Sequence, residues 1–153
     1  MWQRFTEHAR KVVFLAQEEA GKLGENHVST EHMLLAILRE ANCGAAQALR
    51  LMNVDLEALR VSLQSELTPS GGKLVGDMQL TPRAKRAVDL AYNEARGMRD
   101  QSICSEHLLL GIVGADGVAA RVLQRFGVDA EKAREAVLKV KGAATLLDRQ
   151  AAV

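Results

Sequence analysis

The chain has 153 residues, of which 48% are hydrophobic and 25% are charged, and its formal net charge at pH 7 is +1. This composition is typical of a globular domain and argues against a disordered segment. So small a net charge offers little long-range attraction to nucleic acid or anionic lipid, and no apolar run approaches the roughly 20 residues that a membrane-spanning helix needs. Neither a nucleic acid nor a membrane is therefore predicted as a partner.

The first predicted helix rests on an apolar stripe whose members recur at spacings of three and four: Phe5, Ala9, Val12, Val13, Ala16, Ala20 and Leu23. Thr6 can cap the start of this helix with its side-chain oxygen, and Gly24 fits its end. The stripe predicts an amphipathic helix, and its small alanines allow a neighbouring helix to approach closely.

Three more helices are predicted before residue 68. Thr30 caps a second helix through "EHMLLAILRE", Gly44 opens a third, and Asp55 caps a fourth that runs to about Leu67. Residues 68–79, "TPSGGKLVGDMQ", break the periodicity with Pro, Ser and Gly and are predicted to be a linker.

Beyond the linker, the same pattern returns at an offset of 75 residues that later becomes 74. The matched pairs include Thr6 with Thr81, Glu31-His32 with Glu106-His107, Leu34-Leu35 with Leu109-Leu110, and Val54-Asp55 with Val128-Asp129. The second copy therefore predicts four further helices, which begin at Thr81-Pro82, Ser105, Gly117 and Asp129, with the last running to about Lys141. Such a period indicates a duplicated unit whose apolar faces bury each other.

The predicted fold is all-α, with eight helices in two pseudo-twofold-related four-helix repeats. Repeat one spans 3–67 and repeat two spans 80–142, so that residues 1–142 form one domain. Residues 143–153 are predicted to be a flexible tail.

The recurring glutamates, Glu31 and Glu106, allow two interpretations. In the first, each carboxylate only stabilises the positive end of its helix dipole. In the second, each binds a guanidinium or ammonium group, while a nearby helix start binds an anion such as phosphate. This second interpretation pairs Glu31 with Thr6 and Glu106 with Thr81, and adds two basic residues that match one turn later, Arg10 and Lys85.

The recurring histidines, His32 and His107, lack partners at metal-ligand spacing, so no metal site is predicted. Each imidazole is instead expected to pack under a helix, with its nitrogens bonded to local backbone or a carboxylate. Cys43 and Cys104 lie at unmatched positions and are interpreted as small core or loop residues in a reducing cytoplasm.

Motifs for catalysis are not found in the sequence. "SGGKLVG" has the wrong spacing for a phosphate-binding loop, and neither GxGxxG nor GxSxG occurs. A helix-turn-helix interpretation of "STEHMLLAIL" fails because that segment offers few side chains suited to base edges. The chain is therefore predicted to be neither an enzyme nor a cofactor-binding protein.

The duplicated unit resembles the double Clp repeat at the amino terminus of Clp ATPases, most closely the ClpC type. The resemblance rests on "RFTEHARKVVFLAQEEA" and "LTPRAKRAVDLAYNEA", on "STEHMLLAIL" and "CSEHLLLGIV", and on "GVAARVLQRFGVD", and it covers residues 3 to about 142. It implies a non-catalytic module that receives adaptor and substrate proteins for an AAA+ unfoldase acting with a Clp protease. It also implies recognition of phosphorylated arginine, with the acidic position falling on Glu31 and Glu106 and the phosphate-side helix starts on Thr6 and Thr81.

The sequence departs from the family pattern beside both candidate pockets. Ser29 and Cys104 stand where the family usually has the glycine of "GTEH", and a Cβ at these positions narrows the pocket or reshapes the turn. An alternative function is a free-standing Clp-repeat accessory that docks on a Clp protease complex without binding a small ligand.

Overall fold

The structure, a computed structural model, describes residues 2–69 and 78–151. Most of the predicted linker lies at 70–77, outside the described residues. The described residues form eight α-helices: α1 (Glu7–Lys22), α2 (Thr30–Arg39), α3 (Gly44–Leu51), α4 (Leu56–Ser65), α5 (Pro82–Gly97), α6 (Ser105–Gly114), α7 (Val118–Arg125) and α8 (Ala130–Ala151). The predicted all-α class with eight helices is confirmed. A short 3-10 helix, Trp2–Arg4, precedes α1.

Three of the predicted helix starts are confirmed by side-chain caps. The hydroxyl of Thr6 accepts a hydrogen bond from Ala9 N–H at 3.2 Å, and that of Thr81 accepts one from Ala84 N–H at 3.1 Å. Asp55 accepts bonds from two backbone N–H groups at the start of α4. These caps satisfy donors that the first turn of a helix leaves without partners.

Three helix boundaries differ clearly from the prediction. The N-caps of α2 and α6 are Ser29 and Cys104, one residue earlier than predicted. Helix α8 continues to Ala151 instead of ending near Lys141, so most of the segment predicted as a flexible tail is helical. The Gly142 in this helix costs only about 1 kcal/mol relative to Ala, and the Ala and Leu residues that follow are strong helix formers.

A short parallel strand pair and an isolated parallel bridge, which the sequence analysis did not predict, join the repeats. Strand β1 (His27–Val28) pairs with β2 (Gln79–Leu80), and Val28 lies opposite Leu80. Phe5 forms an isolated parallel bridge with Ile103. Phe5 and Leu80 are repeat-equivalent positions, as are Val28 and Ile103, so each repeat gives the other the same contact. This reciprocity is the relation expected of a pseudo-twofold axis.

The core is centred on helices α2 and α6. Nine of the ten residues of α2 are buried, and seven are buried in α6. Helix α6 crosses α5 so closely at Gly111 that a Cβ there would lie 2.0 Å from the carbonyl oxygen of Ala87. Glycine at this position therefore permits a backbone-to-backbone contact that a side chain would prevent. Among the described residues, no helix combines the length and the apolar character needed to span a bilayer.

Candidate functional site

The two recurring glutamates occupy equivalent places in the first turns of the central helices. Glu31 lies in α2 and is 9% exposed, and Glu106 lies in α6 and is half-buried. The hydroxyl of Ser29 donates a hydrogen bond to the Glu31 carboxylate, and the hydroxyl of Ser105 donates one to Glu106 Oε1 at 2.9 Å. Each carboxylate therefore already has a local serine donor and lies near the positive end of its own helix.

The backbone connects each candidate threonine to the acidic motif of the other repeat. Thr6 N–H donates to Ile103 C=O at 3.0 Å, three residues before Glu106. Thr81 N–H donates to Val28 C=O at 2.9 Å, three residues before Glu31. The structure thus differs from the sequence interpretation, which paired Glu31 with Thr6 and Glu106 with Thr81. The two groupings supported by the backbone are Thr81 with Glu31 and Thr6 with Glu106.

The remaining candidate residues lie on the outer surface of the helices that these threonines start. Arg10 and Lys85 are both exposed, and Arg10 donates a hydrogen bond to the carbonyl oxygen of Gln3 at 3.4 Å. Among the surface cavities of the described residues, five have volumes of about 270 to 390 Å³, and neither Glu31 nor Glu106 lines any of these five. A guanidinium group that binds either carboxylate must therefore share its oxygens with a serine hydroxyl or displace that hydroxyl.

The two glutamates differ in what lies across the repeat boundary. Ser105 Oγ accepts a hydrogen bond from Ala45 N–H at 3.1 Å, and a Cβ on Gly44 would overlap the Glu106 carboxylate. Ser105 therefore caps the N-terminus of α3 from the other repeat, and the Glu106 carboxylate packs against Gly44. Sequence analysis missed this contact, because it joins residues 60 positions apart.

The corresponding contact is missing in the other repeat. The Thr30 hydroxyl, equivalent to that of Ser105, is fully buried and has no hydrogen-bond partner among the described residues. Val118 occupies the position that corresponds to Gly44, so the side chain that Gly44 lacks is present at the start of α7. The duplication therefore conserves the two carboxylates but not their surroundings.

The recurring histidines are buried, as the sequence analysis expected, and they also act as capping residues, which it did not predict. Both nitrogens of His107 are hydrogen-bonded, whereas His32 Nε2 has no hydrogen-bond partner among the described residues. His32 Nδ1 accepts the backbone N–H of Ser29 at 2.9 Å, and His107 Nδ1 accepts that of Cys104 at 2.8 Å. The opposite nitrogen, Nε2, lies 3.4 Å from Glu25 in the first case and 2.8 Å from Asp100 in the second. Because Nδ1 accepts a bond, the proton of the neutral ring is on Nε2 and faces a carboxylate.

Burial lowers the pKa of both imidazoles from the ordinary value of 6.5. For His32 the carboxylates that oppose this effect belong to Glu25, Glu31 and Glu19. For His107 the hydrogen bond to Asp100 and the charges of Asp100 and Glu106 oppose it, whereas Lys141 adds to it. Desolvation is the largest contribution in both cases, so both rings are neutral near pH 7.

The cysteines show no sign of nucleophilic chemistry. Cys43 is buried and Cys104 is half-buried, and both are free. Burial raises the pKa of both thiols, which keeps them protonated and weakly reactive. In the described residues, no group of three or more His, Cys, Asp or Glu side chains is placed to hold a metal ion.

The described residues form a duplicated, pseudo-twofold bundle of eight helices with a capped "EH" motif in each repeat, so the protein is an all-α domain of two helical repeats. Residues 4–126 match the family model "Clp repeat (R) N-terminal domain". The chain belongs to this family.

Relatives place the chain within the ClpC/ClpA type of this domain. It is 44% identical over 143 residues to the ATP-dependent Clp protease ATP-binding subunit ClpA homolog of Porphyra purpurea, covering 93% of this chain and 17% of that protein. It is 43% identical to the Bacillus subtilis negative regulator of genetic competence ClpC/MecB, covering 93% of this chain and 18% of that protein. The chain thus spans less than a fifth of the length of these curated relatives.

Solved structures show the same fold. The N-terminal domain of the Arabidopsis thaliana chaperone ClpD matches with a TM-score of 0.70 and 27% identity, over 91% of this chain and 95% of that chain. The N-terminal domain of Hsp104 from Candida albicans matches with a TM-score of 0.76 at 14% identity, over 90% of this chain and 91% of that chain, and this likeness concerns the fold alone.

Proposed function

We propose that this chain is the domain that receives substrate and adaptor proteins for a ClpC-type AAA+ unfoldase, and that it recognises phosphorylated arginine through Glu31 and Glu106. The observation that supports this proposal is the twofold-related placement of the two carboxylates. Each lies in the first turn of a buried helix, and each is joined through a strand pair to a threonine-capped helix start of the other repeat.

The chemistry of phosphoarginine suits this arrangement. A carboxylate accepts two parallel hydrogen bonds from a guanidinium group. The phosphoryl group needs donors, and the helix starts at Thr6 and Thr81 supply backbone N–H groups and a hydroxyl that retains its own proton to donate. Arg10 and Lys85, one turn further along α1 and α5, add positive charge near the phosphoryl end.

The surroundings of the two carboxylates predict that the sites differ in strength. At Glu31, a bound guanidinium group competes with one serine hydroxyl. At Glu106, it competes with Ser105 and with the start of α3, so binding there also disturbs an inter-repeat contact. The Glu31 site is therefore expected to be the tighter of the two.

Isothermal titration calorimetry of the chain with free phosphoarginine tests the proposal. The wild type is expected to release heat on binding, and the double variant Glu31→Ala/Glu106→Ala to release none. Glu131→Ala is the matched control, because Glu131 is an exposed carboxylate in the first turn of another helix, α8. Far-UV circular dichroism checks that each variant is folded.

Two outcomes count against the proposal. The first is the absence of binding by the wild type. The second is binding by the double variant with the wild-type affinity, which would remove both carboxylates from the site. Glu106→Gln, which keeps the size of the side chain beside Gly44, separates a loss of the charged ligand contact from a disturbance of packing at the start of α3.

A further inference from the structure

A cavity of about 270 Å³ lies beside the Phe5–Ile103 bridge, and three arginines line it. Its lining combines one residue from the 3-10 helix, several from the last turns of α5, and the segment that follows: Arg4, Tyr92, Ala95, Arg96, Arg99, Asp100, Gln101 and Ile103. Neither glutamate of the phosphoarginine site is among them. Three guanidinium groups around one small hollow form a concentration of charge in a chain whose net charge is only +1.

The negative charges near this cavity are already engaged. Asp100 Oδ2 lies 2.6 Å from Lys141 Nζ and 2.8 Å from His107 Nε2. Glu94, on the same helix, binds Arg134 at 2.7 Å. Within the described part of the chain, no ion pair or side-chain hydrogen bond joins Arg4, Arg96 or Arg99 to another residue. The guanidinium groups are therefore free to bind an external anion.

The backbone at Arg99 gives an independent reason to expect a function. Arg99 follows α5 with φ of 60°, in the left-handed region. The equivalent position of repeat one is Gly24, with φ of 76°, and glycine adopts this conformation without a steric penalty. Repeat two thus places an arginine where the fold favours glycine. Residues held in sparsely populated conformations concentrate at functional sites.

The cavity beside the other strand pair has a different chemistry. It has a volume of about 390 Å³, and most of its lining is apolar: Val13, Phe14, Val28, Met78 and Leu80, together with Arg10 and two glutamines. The duplicated unit therefore does not produce the arginine cluster automatically. The cluster combines Arg4 of repeat one with Arg96 and Arg99 of repeat two, and the cavity beside the other strand pair has no counterpart of it.

We propose that the cavity of Arg4, Arg96 and Arg99 binds an oxyanion group presented by a protein segment. Guanidinium groups recognise carboxylates and phosphoryl groups by the same forked hydrogen bonds, so acidic side chains and a phosphorylated side chain are two sources of this chemistry. The Tyr92 ring adds an apolar wall. The cavity adjoins the helix start at Thr6, because Ile103 lines it and accepts the Thr6 N–H. Neither Glu31 nor Glu106 lines it, so binding here is expected to survive in the Glu31→Ala/Glu106→Ala variant.

Fluorescence anisotropy with labelled hexapeptides tests the proposal. The probes are hexaglutamate, a glycine-serine peptide with one phosphoserine, and hexaglutamine as the neutral control. We expect hexaglutamate or the phosphoserine peptide to bind and hexaglutamine not to bind. The tighter of the two anionic peptides identifies the source of the oxyanion. Binding is expected to weaken when the ionic strength rises from about 0.05 to about 0.5 M.

The variants Arg99→Gly and Arg4→Gln/Arg96→Gln are each expected to reduce the affinity about fivefold or more, because each removes charge-assisted hydrogen bonds. Arg86→Gln, which removes an exposed charge nearer the start of α5, is expected to leave the affinity unchanged. Arg99→Gly is further expected to melt no lower than the wild type, because glycine suits the left-handed backbone. A lost signal in this variant therefore reports lost binding and not unfolding.

The proposal is overturned if neither anionic peptide binds. It is equally overturned if the arginine variants bind with the wild-type affinity, or if Arg86→Gln weakens binding as much as Arg99→Gly does. The last result would indicate a diffuse attraction to positive charge without a defined site.

Discussion

Ser105 Oγ lies 3.1 Å from the backbone nitrogen of Ala45 and accepts its hydrogen bond, so that the second repeat caps a helix of the first. The N-cap residue of α3 is Cys43, whose side chain makes no cap hydrogen bond. Helix α3 therefore depends on a residue 60 positions away for a contact that a helix usually obtains from its own flanking sequence.

Replacing Ser105 with Ala is expected to lower the free energy of unfolding by about 1 to 2 kcal/mol, because a buried N–H group loses its acceptor. Thr30→Val is the matched control in the other repeat. The Thr30 hydroxyl is buried without a partner among the described residues, so its removal is expected to change stability by less than about 0.5 kcal/mol or to increase it. Urea denaturation followed by circular dichroism measures both. Equal losses in the two variants would show that the capping contact is unimportant.

Gly111→Ala is expected to destabilise the domain by about 1 to 3 kcal/mol, because the new methyl group meets a backbone carbonyl that cannot move without shifting α5. Gly97→Ala serves as the control, since a Cβ at that position has no heavy atom within 4 Å. It is expected to stabilise the domain by up to about 1 kcal/mol through helix propensity. Thermal or urea unfolding distinguishes the two effects, and an unchanged midpoint for Gly111→Ala would contradict the close helix crossing.

The two buried histidines predict how stability changes with pH. Their pKa values are lower in the folded chain than the ordinary value of 6.5, so below that value the unfolded chain binds protons that the folded chain does not. Stability is therefore fully present above pH 6.5 and is lost as the pH falls from 6.5 toward the folded-state values. Unfolding free energies measured between about pH 7.5 and about pH 5.5 test this, in a range above the ordinary pKa values of carboxylates. The slope is expected to flatten in His32→Gln/His107→Gln, and an identical slope in that variant would assign the pH dependence to other groups.

Ser29→Gly is expected to strengthen phosphoarginine binding about threefold to fivefold, because the Glu31 carboxylate loses a donor that competes with the guanidinium group. The cost in stability is expected to be a few tenths of a kcal/mol, since glycine is an acceptable N-cap. Calorimetry measures the affinity, with Ser65→Gly as a control on an exposed serine of α4. Weaker binding by Ser29→Gly would mean that the serine hydroxyl takes part in the site.

The parts of the fold that were predicted correctly depend on local sequence. Thr6, Thr81 and Asp55 act within three residues of themselves, so their capping roles could be read from the sequence. The predicted N-caps of α2 and α6 lie one residue after the observed ones. At α6 the favoured residue type, Ser105, follows the actual cap, Cys104, and at α2 both Ser29 and Thr30 are good capping residues. His32 decides between them by accepting the Ser29 N–H.

The parts that were missed depend on tertiary contacts. A strand pair only two residues long, such as Val28 with Leu80, produces no alternating pattern that sequence could show. This pair and the Phe5–Ile103 bridge determine which threonine lies near which glutamate. The sequence interpretation pairs each threonine with the glutamate of its own repeat, whereas the structure pairs it with the glutamate of the other repeat. The arginine cluster was also missed, because Arg4 lies far along the chain from Arg96 and Arg99.

The reciprocal strand pairs have the geometry of a symmetric homodimer interface. A single ancestral unit with the same segments would have completed its structure only by meeting a second copy, and its stability would have depended on protein concentration. Fusion of the two units makes that encounter intramolecular and lets the side chains of the two halves diverge. Gly44 and Val118 are one example of equivalent positions that differ, and Gly24 and Arg99 are another. Because each half depends on the other for strand partners, we expect the first repeat to fold poorly until the second has been synthesised.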